Sequence, residues 1–393
     1  MTYPSTIQPL PRTVLVGVPE LTDHLAAEWD ELACAASEPN SFYERWFVEA
    51  SLEHLDTPDS LKILTVRDKT GLLIGVLPLR SGQNYGRMPL SAVQNWLHYN
   101  QFLGIPLVRK GAECAFWQEA LSSFDRDWPG SDVLYFSEMA ADGPVTDALR
   151  AVSAEMGRPI AIVHRYHRAI LEAGSTPDEY WATAVRKKKR KEIARLENRL
   201  AEIGPISVER LQDDRDAASW TQEFLALEAA GWKAQDGAAL ATLESTRQFF
   251  IKAITDGLKQ RRVEILRLRV GDQTIAMLVN FLADGGAFSF KISYDEGFSR
   301  YSPGILIEKA NLHRLDDPAF SWMDSCAVED HPMINSLWRG RREIVRIALP
   351  RKGARAALLF HAVRLAETSW SAIKQFRNRG QNDNGASNDD HDL

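Results

Sequence analysis

The sequence predicts an α+β protein made of two tandem units, each with a mixed, mostly antiparallel sheet flanked by helices. The first observation behind this prediction is a hairpin in each half of the chain. Two apolar runs of strand length flank a short turn in each case, which is typical of antiparallel strands. The paired runs are Leu61–Arg67 with Leu72–Leu79, and Val263–Arg269 with Gln273–Leu282.

The second observation is the order of elements that follows each hairpin. In both halves a strand, a helix and another strand are expected from the spacing of the apolar residues. The same order in both halves indicates a duplicated unit. The segments are Trp96–Leu107, Ala112–Phe124 and Asp132–Phe136 in the first half, and Phe288–Tyr294, Gly304–Leu315 and Ser321–Asp324 in the second.

Composition narrows the class of protein. The chain has 393 residues, more than one domain of about 150 residues would use, and 45% of them are apolar. Cys34, Cys114 and Cys326 lack metal-ligand spacing, and Met1–Leu10 does not resemble a signal peptide, so we expect a reduced cytoplasmic protein without a metal site.

The net charge of −6 argues against DNA as a partner. No apolar run approaches the ~20 residues of a membrane span, so we expect any membrane contact to be peripheral, at the inner face.

These patterns divide the chain into six segments. Two of them are the units themselves, at 40–175 and 206–350, and we expect the second unit to hold the chemistry. A basic connecting helix at 176–205 separates them. An N-terminal segment covers 1–39, an amphipathic helix is predicted at 351–378, and the tail at 379–393 has too few apolar residues to fold.

The connecting helix begins with six consecutive cations, Arg186 to Lys191, and Gly204-Pro205 ends it. Cations at a helix N-terminus oppose the helix dipole, which favours an anion bound nearby. The alternative is that these cations bind no anion and are solvated by water at the start of the helix. One buried stripe follows at helical spacing, made of Ile193, Leu196, Leu200 and Ile203.

The segment from Ala287 to Trp338 predicts where a ligand binds. Apolar residues at Phe288, Phe290 and Ile292 alternate with Ser289, Lys291 and Ser293, so we expect Lys291 to face away from the apolar side. The helix opening at Gly304 completes a βαβ crossover. Ligands of such units bind beyond the carboxyl ends of the strands, at the helix N-terminus. The loops at that end are Tyr294–Gly304 and Asp324–His331.

Four short segments carry a family resemblance, which covers roughly residues 40–350. Together with the doubled unit and the basic helix, they resemble the BioF-like, CelD-like branch of the GNAT acyltransferase superfamily. The doubled unit is more distantly similar to the Fem-type aminoacyl transferases. The segments are Leu227-Glu228-Ala229-Ala230-Gly231-Trp232-Lys233, Phe290–Glu296, Tyr301-Ser302-Pro303-Gly304 and Asp324-Ser325-Cys326.

The resemblance implies transfer of an acyl group from a thioester, usually of coenzyme A, to an amine. In this superfamily two parallel strands separate and leave backbone N–H groups for the thioester, while the next loop and helix start bind pyrophosphate. Here that loop is Arg300-Tyr301-Ser302-Pro303-Gly304-Ile305. It has proline where the superfamily has its first glycine, and Pro303 brings no N–H, so the phosphate cradle is smaller or differently shaped.

Amine attack on a thioester needs a base for the amine and a proton donor for the leaving thiolate. The candidate bases are His331, Glu228 and Asp324, together with Glu329 and Asp330, and the candidate acids are Tyr294 and Tyr301. Each has a structural alternative: His331 can brace the next helix, Glu228 can belong to an ordinary amphipathic helix, and the tyrosines can anchor loops by packing.

Substrate contacts are expected from a further set of polar and aromatic residues. Trp232 lies one helical turn after Glu228 and can wall a pocket, with Lys233 next to it. Lys291 can meet a phosphate or carboxylate, or remain a solvated strand lysine. In the first unit Asn95, His98 and Asn100 can line an acceptor cleft between the units, or satisfy an irregular turn.

We therefore expect an N-acyltransferase that moves an acyl group from acyl-CoA to an amine in envelope lipid, including a sphingoid base, or in polysaccharide biosynthesis. Acyl-CoA is a co-substrate, and no permanently bound cofactor is expected. The basic helix makes an anionic membrane surface or an acyl carrier protein a candidate partner. A Fem-like aminoacyl transferase using tRNA and a non-catalytic scaffold that binds a lipid or a partner are the alternatives.

Overall fold

One sheet runs through both halves of the chain. The structure is a computed structural model, and it describes residues 13–16, 23–84, 90–231 and 239–365. The strands of this sheet are β1 Thr13–Val16, β2 Lys62–Arg67, β3 Leu73–Gly82, β4 Ala92–Asn95, β5 Leu107–Val108, β6 Val133–Ala140, β7 Ala161–Glu172, β8 Ile206–Leu211, β9 Val263–Val270, β10 Gln273–Ala283, β11 Gly286–Tyr294, β12 Trp322–Asp324 and β13 Gly340–Pro350.

Helices cover both faces of the sheet. They are α1 Asp23–Cys34, α2 Arg45–His54, α3 Glu113–Asp127, α4 Pro144–Glu155, α5 Pro177–Ala184, α6 Lys187–Ala201, α7 Ala217–Ala229, α8 Glu244–Lys259 and α9 Pro303–Asn311. A 3-10 helix at Leu312–Asp316 continues α9, and residues 354–365 are also helical. None of the helices in the described ranges combines the length and the apolar character that crossing a bilayer requires.

The order of strands repeats the same unit twice. It is β1-β2-β3-β4-β6-β13-β7-β12-β11-β10-β9-β8, and β5 pairs with β3 outside this path. The hairpins β2–β3 and β9–β10 are antiparallel, whereas β4–β6 and β11–β12 are parallel pairs joined by a helical crossover. The predicted fold class of two tandem, mostly antiparallel units is therefore confirmed.

The last strands of the two units are exchanged. Strand β7 comes from the first unit in sequence but pairs with β12 of the second, and β13 comes from the second unit but pairs with β6 of the first. β7 and β13 pair with each other in the middle, where Arg168 lies opposite Arg342. Each sheet is thus completed by a strand from the other half, which the sequence-based boundaries at 175 and 206 do not reveal.

The predicted strand Trp96–Leu107 is wrong. The strand in that place is β4, which ends at Asn95, and a loop follows it. The side chain of Asn95 explains why: its Nδ2 donates to the carbonyl oxygens of Gly104 at 3.1 Å and Ser137 at 2.9 Å, and its Oδ1 accepts from Ser137 N–H at 2.8 Å. Asn95 therefore bridges the gap between β4 and β6, and the loop fills that gap.

The predicted alternation along the strand Phe288–Tyr294 is interrupted by a β-bulge. Lys291 pairs with Val279 and Ser289 pairs with Asn280, so Phe290 is an extra residue in β11. From Lys291 onward, each side chain therefore lies on the opposite face of the sheet from the one that simple alternation predicts. Lys291 consequently lies on the side of Phe290, with its Nζ 5.7 Å from the phenyl ring, and the expectation that it faces the opposite side is wrong.

The predicted single basic helix at 176–205 is wrong in its extent, because non-helical backbone at Val185 and Arg186 divides it into α5 and α6. The cation block lies at the start of α6. Ile193, Leu196 and Leu200 are buried against β9, β10 and α9, as predicted, but Ile203 lies beyond the helix end and is exposed. Over the middle of the sheet, Phe360 of the helix at 354–365 packs in a small apolar cluster with Ala348 of β13. The predicted tail at 379–393, and the part of the predicted C-terminal helix beyond residue 365, lie outside the described residues.

Candidate active site

The parallel strands β11 and β12 separate after three residue pairs. They pair from Gly286 opposite Trp322 to Phe288 opposite Asp324. β11 then continues to Tyr294, whereas the chain beyond Asp324 moves toward β7, because Ser325 N–H donates to the Ala169 carbonyl at 3.1 Å. In the described part of the chain no strand pairs with β11 on this side beyond Phe288. A wedge with an open strand edge is the result.

A tight loop follows β11 and leads into α9. Asp295 accepts a hydrogen bond from Gly297 N–H, and the Arg300 guanidinium lies 4.8 Å from the Tyr301 ring. Ser302 has left-handed backbone geometry with φ of 55°, and Pro303 is the first helical residue. A methyl group on Gly304 would lie 3.3 Å from the sulfur of Met333, so glycine permits the close packing of the 331–336 segment against the start of α9.

A cleft of about 650 Å³ lies between the starts of α6 and α9. Ser302 and Ile305 of the predicted donor-binding loop line it, and Arg186, Lys188 and Lys189 line the opposite wall. The cleft therefore brings together two features that the sequence suggested separately. Two helix N-termini and three cationic side chains facing one space favour binding of an anion.

Lys189 is held in this cleft by a neighbouring segment. Its Nζ donates a hydrogen bond to Ser336 Oγ, and partial burial lowers the pKa of the Lys189 ammonium. Pro332 and Asn335 of the same segment also line the cleft. The segment that follows β12 thus forms the third wall of the cleft.

His331 precedes that wall and makes local hydrogen bonds. Its Nδ1 accepts from Ile334 N–H at 3.3 Å, and its carbonyl accepts from Asn335 N–H at 3.1 Å. These contacts match the bracing role that the sequence left open. Of the neighbouring candidates, Glu329 accepts a hydrogen bond from His167 N–H of β7 at 3.0 Å.

Asp324 lies at the vertex of the wedge and is fully buried. Arg168 lies 3.4 Å and Arg342 3.5 Å from its oxygens, and Cys326 N–H donates to it at 2.9 Å. Arg168 also bonds Glu138 of the first unit at 3.2 Å. A carboxylate surrounded by two guanidinium groups and a backbone N–H is suited to holding strands together.

Glu228 is buried in the last turn of α7. Its Oε2 accepts a hydrogen bond from Leu240 N–H at 2.8 Å. This bond holds the chain at Leu240 against the end of α7. Trp232 and Lys233, the expected substrate contacts, lie outside the described residues.

Tyr294 lies at the carboxyl end of β11, on the side that faces α9. A methyl group on Gly304 would come within 3.7 Å of its ring, so the ring lies beside the start of α9. The structure thus brings Tyr294 and the loop Arg300–Ile305 to one corner.

Of the three candidates in the first unit, Asn95 and Asn100 are buried and His98 is half-buried, and none of them lines this cleft or the larger one described below. Asn95 bridges β4 and β6, and Asn100 N–H donates to His98 Nδ1 at 3.2 Å. The His98 ring stacks on Phe47 with a centroid distance of 5.7 Å, and its Nε2 lies 3.0 Å from Ser51 Oγ. Burial lowers the pKa of His98 to about 3, so its imidazole is neutral at physiological pH.

Sequence reasoning missed a buried polar cluster behind β11. Glu308 of α9 faces Ser289, the first residue of β11 beyond its pairing with β12, and Asn311 lies one turn further along the helix. Burial raises the pKa of Glu308 to about 7. A signal was present, because Glu308 and Asn311 fall at helical spacing among apolar residues of the crossover helix.

A second, larger cleft of about 1010 Å³ runs along β7 and β13. Residues of both units line it, and nearly half of them are charged. They include Glu38, Arg150, Arg165, Glu172, Arg342 and Glu343. In the described residues no group of three His, Cys, Asp or Glu side chains is arranged to hold a metal ion.

Comparisons with known proteins agree with this geometry. Residues 187–329 match the acetyltransferase (GNAT) domain family. A search of curated proteins found no match. The crystal structure of FemX is similar over 82% of this chain and 95% of its own, with a TM-score of 0.54 and 10% identity.

Two further solved structures are similar over nearly the whole chain. A conserved protein of unknown function from Bacteroides thetaiotaomicron covers 83% of this chain with 97% of its own, at a TM-score of 0.54 and 13% identity. The C-terminal domain of a putative lysylphosphatidylglycerol synthetase from Agrobacterium fabrum covers 86% of this chain with 95% of its own length. Its TM-score is 0.50 and its sequence identity is 9%. At such identities the likeness extends to the fold alone.

Proposed function

We propose that the chain is an N-acyltransferase that uses acyl-CoA as co-substrate and an amine as acceptor, because residues 187–329 match the acetyltransferase (GNAT) domain family. The observation that carries this proposal is the cleft between α6 and α9. It lies at the helix start that follows the open edge of β11, and it is lined by Arg186, Lys188 and Lys189. A thioester with a pyrophosphate needs both parts: an anion site and a free strand edge next to it.

The acyl donor lies along the second unit in this proposal. Its pyrophosphate occupies the cleft, between Ser302 and the cations of α6, and its pantetheine arm runs along β11 toward the vertex at Phe288. Backbone N–H groups of β11 hold the thioester and stabilise the negative charge that develops on its carbonyl oxygen. Pro303 has no N–H group that could donate to a phosphate, so the start of α9 alone binds an anion less well. In this proposal the cations of α6 supply the additional positive charge.

The acceptor is proposed to enter by the larger cleft along β7 and β13. Arg342 joins that cleft to the vertex of the wedge, because its guanidinium lies 3.5 Å from Asp324. The charged lining suits a polar amine, such as an amino sugar of a polysaccharide precursor, better than the alkyl chain of a lipid amine such as a sphingoid base. An envelope lipid with a polar amine headgroup fits the same chemistry.

A second candidate is aminoacyl transfer from tRNA. FemX shares the fold alone, but the exposed cations Lys187 and Lys191 extend the positive surface beyond the cleft. A polyanionic donor would need such an extension, whereas acyl-CoA needs only the cleft itself. The acyl-CoA reading is preferred because the cleft is compact and the chain is acidic overall, with a net charge of −6.

Ligand-dependent thermal stability and thiol release test the proposal together. Acetyl-, medium-chain and long-chain acyl-CoA are added to the full chain, and at least one is expected to raise the melting temperature, because a ligand of the native state stabilises it. Thiol release in the presence of amino sugars is then followed. The Lys188→Glu variant should lose the shift, whereas Lys69→Glu, in the exposed turn between β2 and β3, should keep it. A shift with aminoacyl-tRNA but with no acyl-CoA would favour the second candidate.

A further inference from the structure

Two polar side chains meet behind the vertex of the wedge. Ser289 is the first residue of β11 after its pairing with β12 ends, and its Oγ donates to Glu308 Oε1 at 3.4 Å. Both residues are buried, with exposed fractions of 7% for Ser289 and 3% for Glu308. The pair therefore lies next to the point where β11 loses its parallel partner.

The carboxyl group of Glu308 is held by neutral partners. Its Oε2 accepts a hydrogen bond from Asn311 Nδ2 at 3.4 Å, and within the described residues it forms no ion pair. Removal from water disfavours the charged form, and burial raises the pKa of Glu308 to about 7. A carboxyl group in this state gains and loses a proton near neutral pH, which general base catalysis requires.

A chain of hydrogen bonds fixes the orientation of Glu308. Asn280 Nδ2 donates to Asn311 Oδ1 at 2.8 Å and to Glu264 Oε2 at 3.1 Å, and His313 Nε2 lies 3.1 Å from Glu264 Oε1. Burial opposes ionisation of Glu264, but the hydrogen bond and charge of His313 outweigh it and lower the pKa of Glu264. The two glutamates thus have opposite shifts, and only Glu308 is set to exchange a proton near pH 7.

We propose that Glu308 is the base for the acyl transfer, and that the hydroxyl group of Ser289 carries the proton between the amine and this carboxylate. This inference rests on the proposed function. The neutral amine attacks the thioester carbonyl carbon, and a C–N bond forms. The amine proton passes to Ser289 Oγ while the hydroxyl proton passes to Glu308. The C–S bond then breaks, and Glu308 returns the proton through Ser289 to the thiolate, which leaves as a thiol.

Of the elements packed against α9, β10 contributes no ionisable group, because its sequence from Gln273 to Ala283 has no ionisable residue. The others carry ionisable groups, which are Glu264, Arg267 and Arg269 of β9, Lys291 and Tyr294 of β11, His313, Arg314 and Asp316 of the 3-10 helix, and the cations and glutamates of α6, including Glu197. Lys309 and Glu197 pair with each other at 2.8 Å near the surface, so their charges offset one another. Glu264 is the anionic neighbour that is linked to Glu308 through the side-chain amides of Asn280 and Asn311.

The test is the pH profile of thiol release from acyl-CoA with a saturating amine, measured on the full chain. The wild-type rate should rise with pH through about 7, because the base must be ionised. Glu308→Gln keeps the shape of the side chain and should lower the rate at pH 8 by a factor of about 100 or more and abolish this rise. Ser289→Ala should lower the rate similarly, and the dissociation constant of acyl-CoA should stay within about twofold in both variants.

Glu197→Gln is the matched control, since it removes a carboxylate that also contacts α9 but lies near the surface. It should leave rate and profile unchanged. If Glu308→Gln does not fold, Ser289→Ala decides alone. An unchanged profile in a folded Glu308→Gln or Ser289→Ala chain that still releases thiol would overturn the inference and leave the proposed function standing. A wild-type chain that neither binds acyl-CoA nor releases thiol would overturn both.

Discussion

The guanidinium group of Arg168 lies 3.4 Å from the carboxylate of Asp324, although 156 residues separate them in sequence. Arg168 belongs to the exchanged strand β7, and Asp324 ends the short strand β12 at the vertex of the wedge. The same guanidinium donates to the carbonyl of Phe102 at 2.7 Å and bonds Glu138 at 3.2 Å. One buried side chain therefore ties the first unit to the point where the second unit opens.

Replacing Arg168 with methionine should destabilise the protein by about 3 kcal/mol, because it leaves Asp324 and Glu138 buried without this cation. Urea denaturation followed by circular dichroism measures the change. Arg165→Met is the control, since the Arg165 side chain is 55% exposed and its pair with Glu343 should contribute less than about 1 kcal/mol. Equal stability of the two variants would contradict the structural role of Arg168.

The strand exchange predicts that neither half folds alone. Fragments 1–175 and 176–393 each lack the strand that completes their sheet, so each would expose unpaired strand edges and apolar surface. Separately expressed fragments should aggregate or show no cooperative unfolding, whereas co-expression should give a soluble complex. A single fragment with a sharp thermal transition and a dispersed amide spectrum would show that the exchanged strand it lacks is dispensable.

Glu308 predicts a specific pH dependence of stability. Its pKa is raised from 4.5 to about 7, so between these values the folded state holds a proton that the unfolded state has released. Stability contributed by this group is therefore lost as pH rises from about 4.5 to about 7, and it stays lost above. Glu308→Gln should remove this loss, which amounts to about 3 kcal/mol in order of magnitude.

The measurement is the free energy of unfolding of Glu308→Gln and wild type between pH 5 and 8. The difference between them should move in favour of the variant as pH rises. Glu197→Gln, at the surface end of the Lys309 pair, should show no such trend. A constant difference between Glu308→Gln and wild type would mean that Glu308 is not buried in protonated form.

The packing of Gly304 predicts that this position tolerates no large side chain. A methyl group would already lie 3.3 Å from Met333 Sδ, so Gly304→Val should push the 331–336 wall away from α9 and weaken acyl-CoA binding by about tenfold or more. Isothermal titration measures this loss. Gly130→Val, where an added carbon meets nothing within 4 Å, should bind as wild type does. Wild-type affinity in Gly304→Val would contradict the placement of the acyl donor here.

Local patterns were sufficient to predict much of the fold. The two hairpins, the helix behind Arg186–Lys191 and the βαβ crossover around Gly304 follow from apolar spacing and turn residues within short windows. The strand exchange depends on pairing between residues far apart, such as Arg168 with Arg342, and no local pattern encodes it. The bulge at Phe290 likewise depends on its partner strand, so the facing of Lys291 was predicted wrongly.

The site was predictable at the level of its elements and less so at the level of single side chains. The loop before α9 and the cation block were both identified from the sequence, and the structure brings them to one cleft. Glu308 was missed because a glutamate in a helix is expected on the exposed face, although its helical spacing with Ile307 and Asn311 places it on the buried face. Asn95 and His98 show the reverse case, because their side chains form hydrogen bonds within the first unit and line neither cleft.

The central claim is that the cleft between α6 and α9 holds the pyrophosphate of an acyl-CoA. Isothermal titration of acyl-CoA and of the matching acyl-pantetheine, which lacks the phosphates, into wild type and Lys188→Glu tests it most directly. We predict that the charge reversal weakens acyl-CoA binding by about tenfold or more and leaves acyl-pantetheine binding unchanged. Equal affinity of wild type and variant for acyl-CoA, or no binding of acyl-CoA by wild type, would contradict the claim.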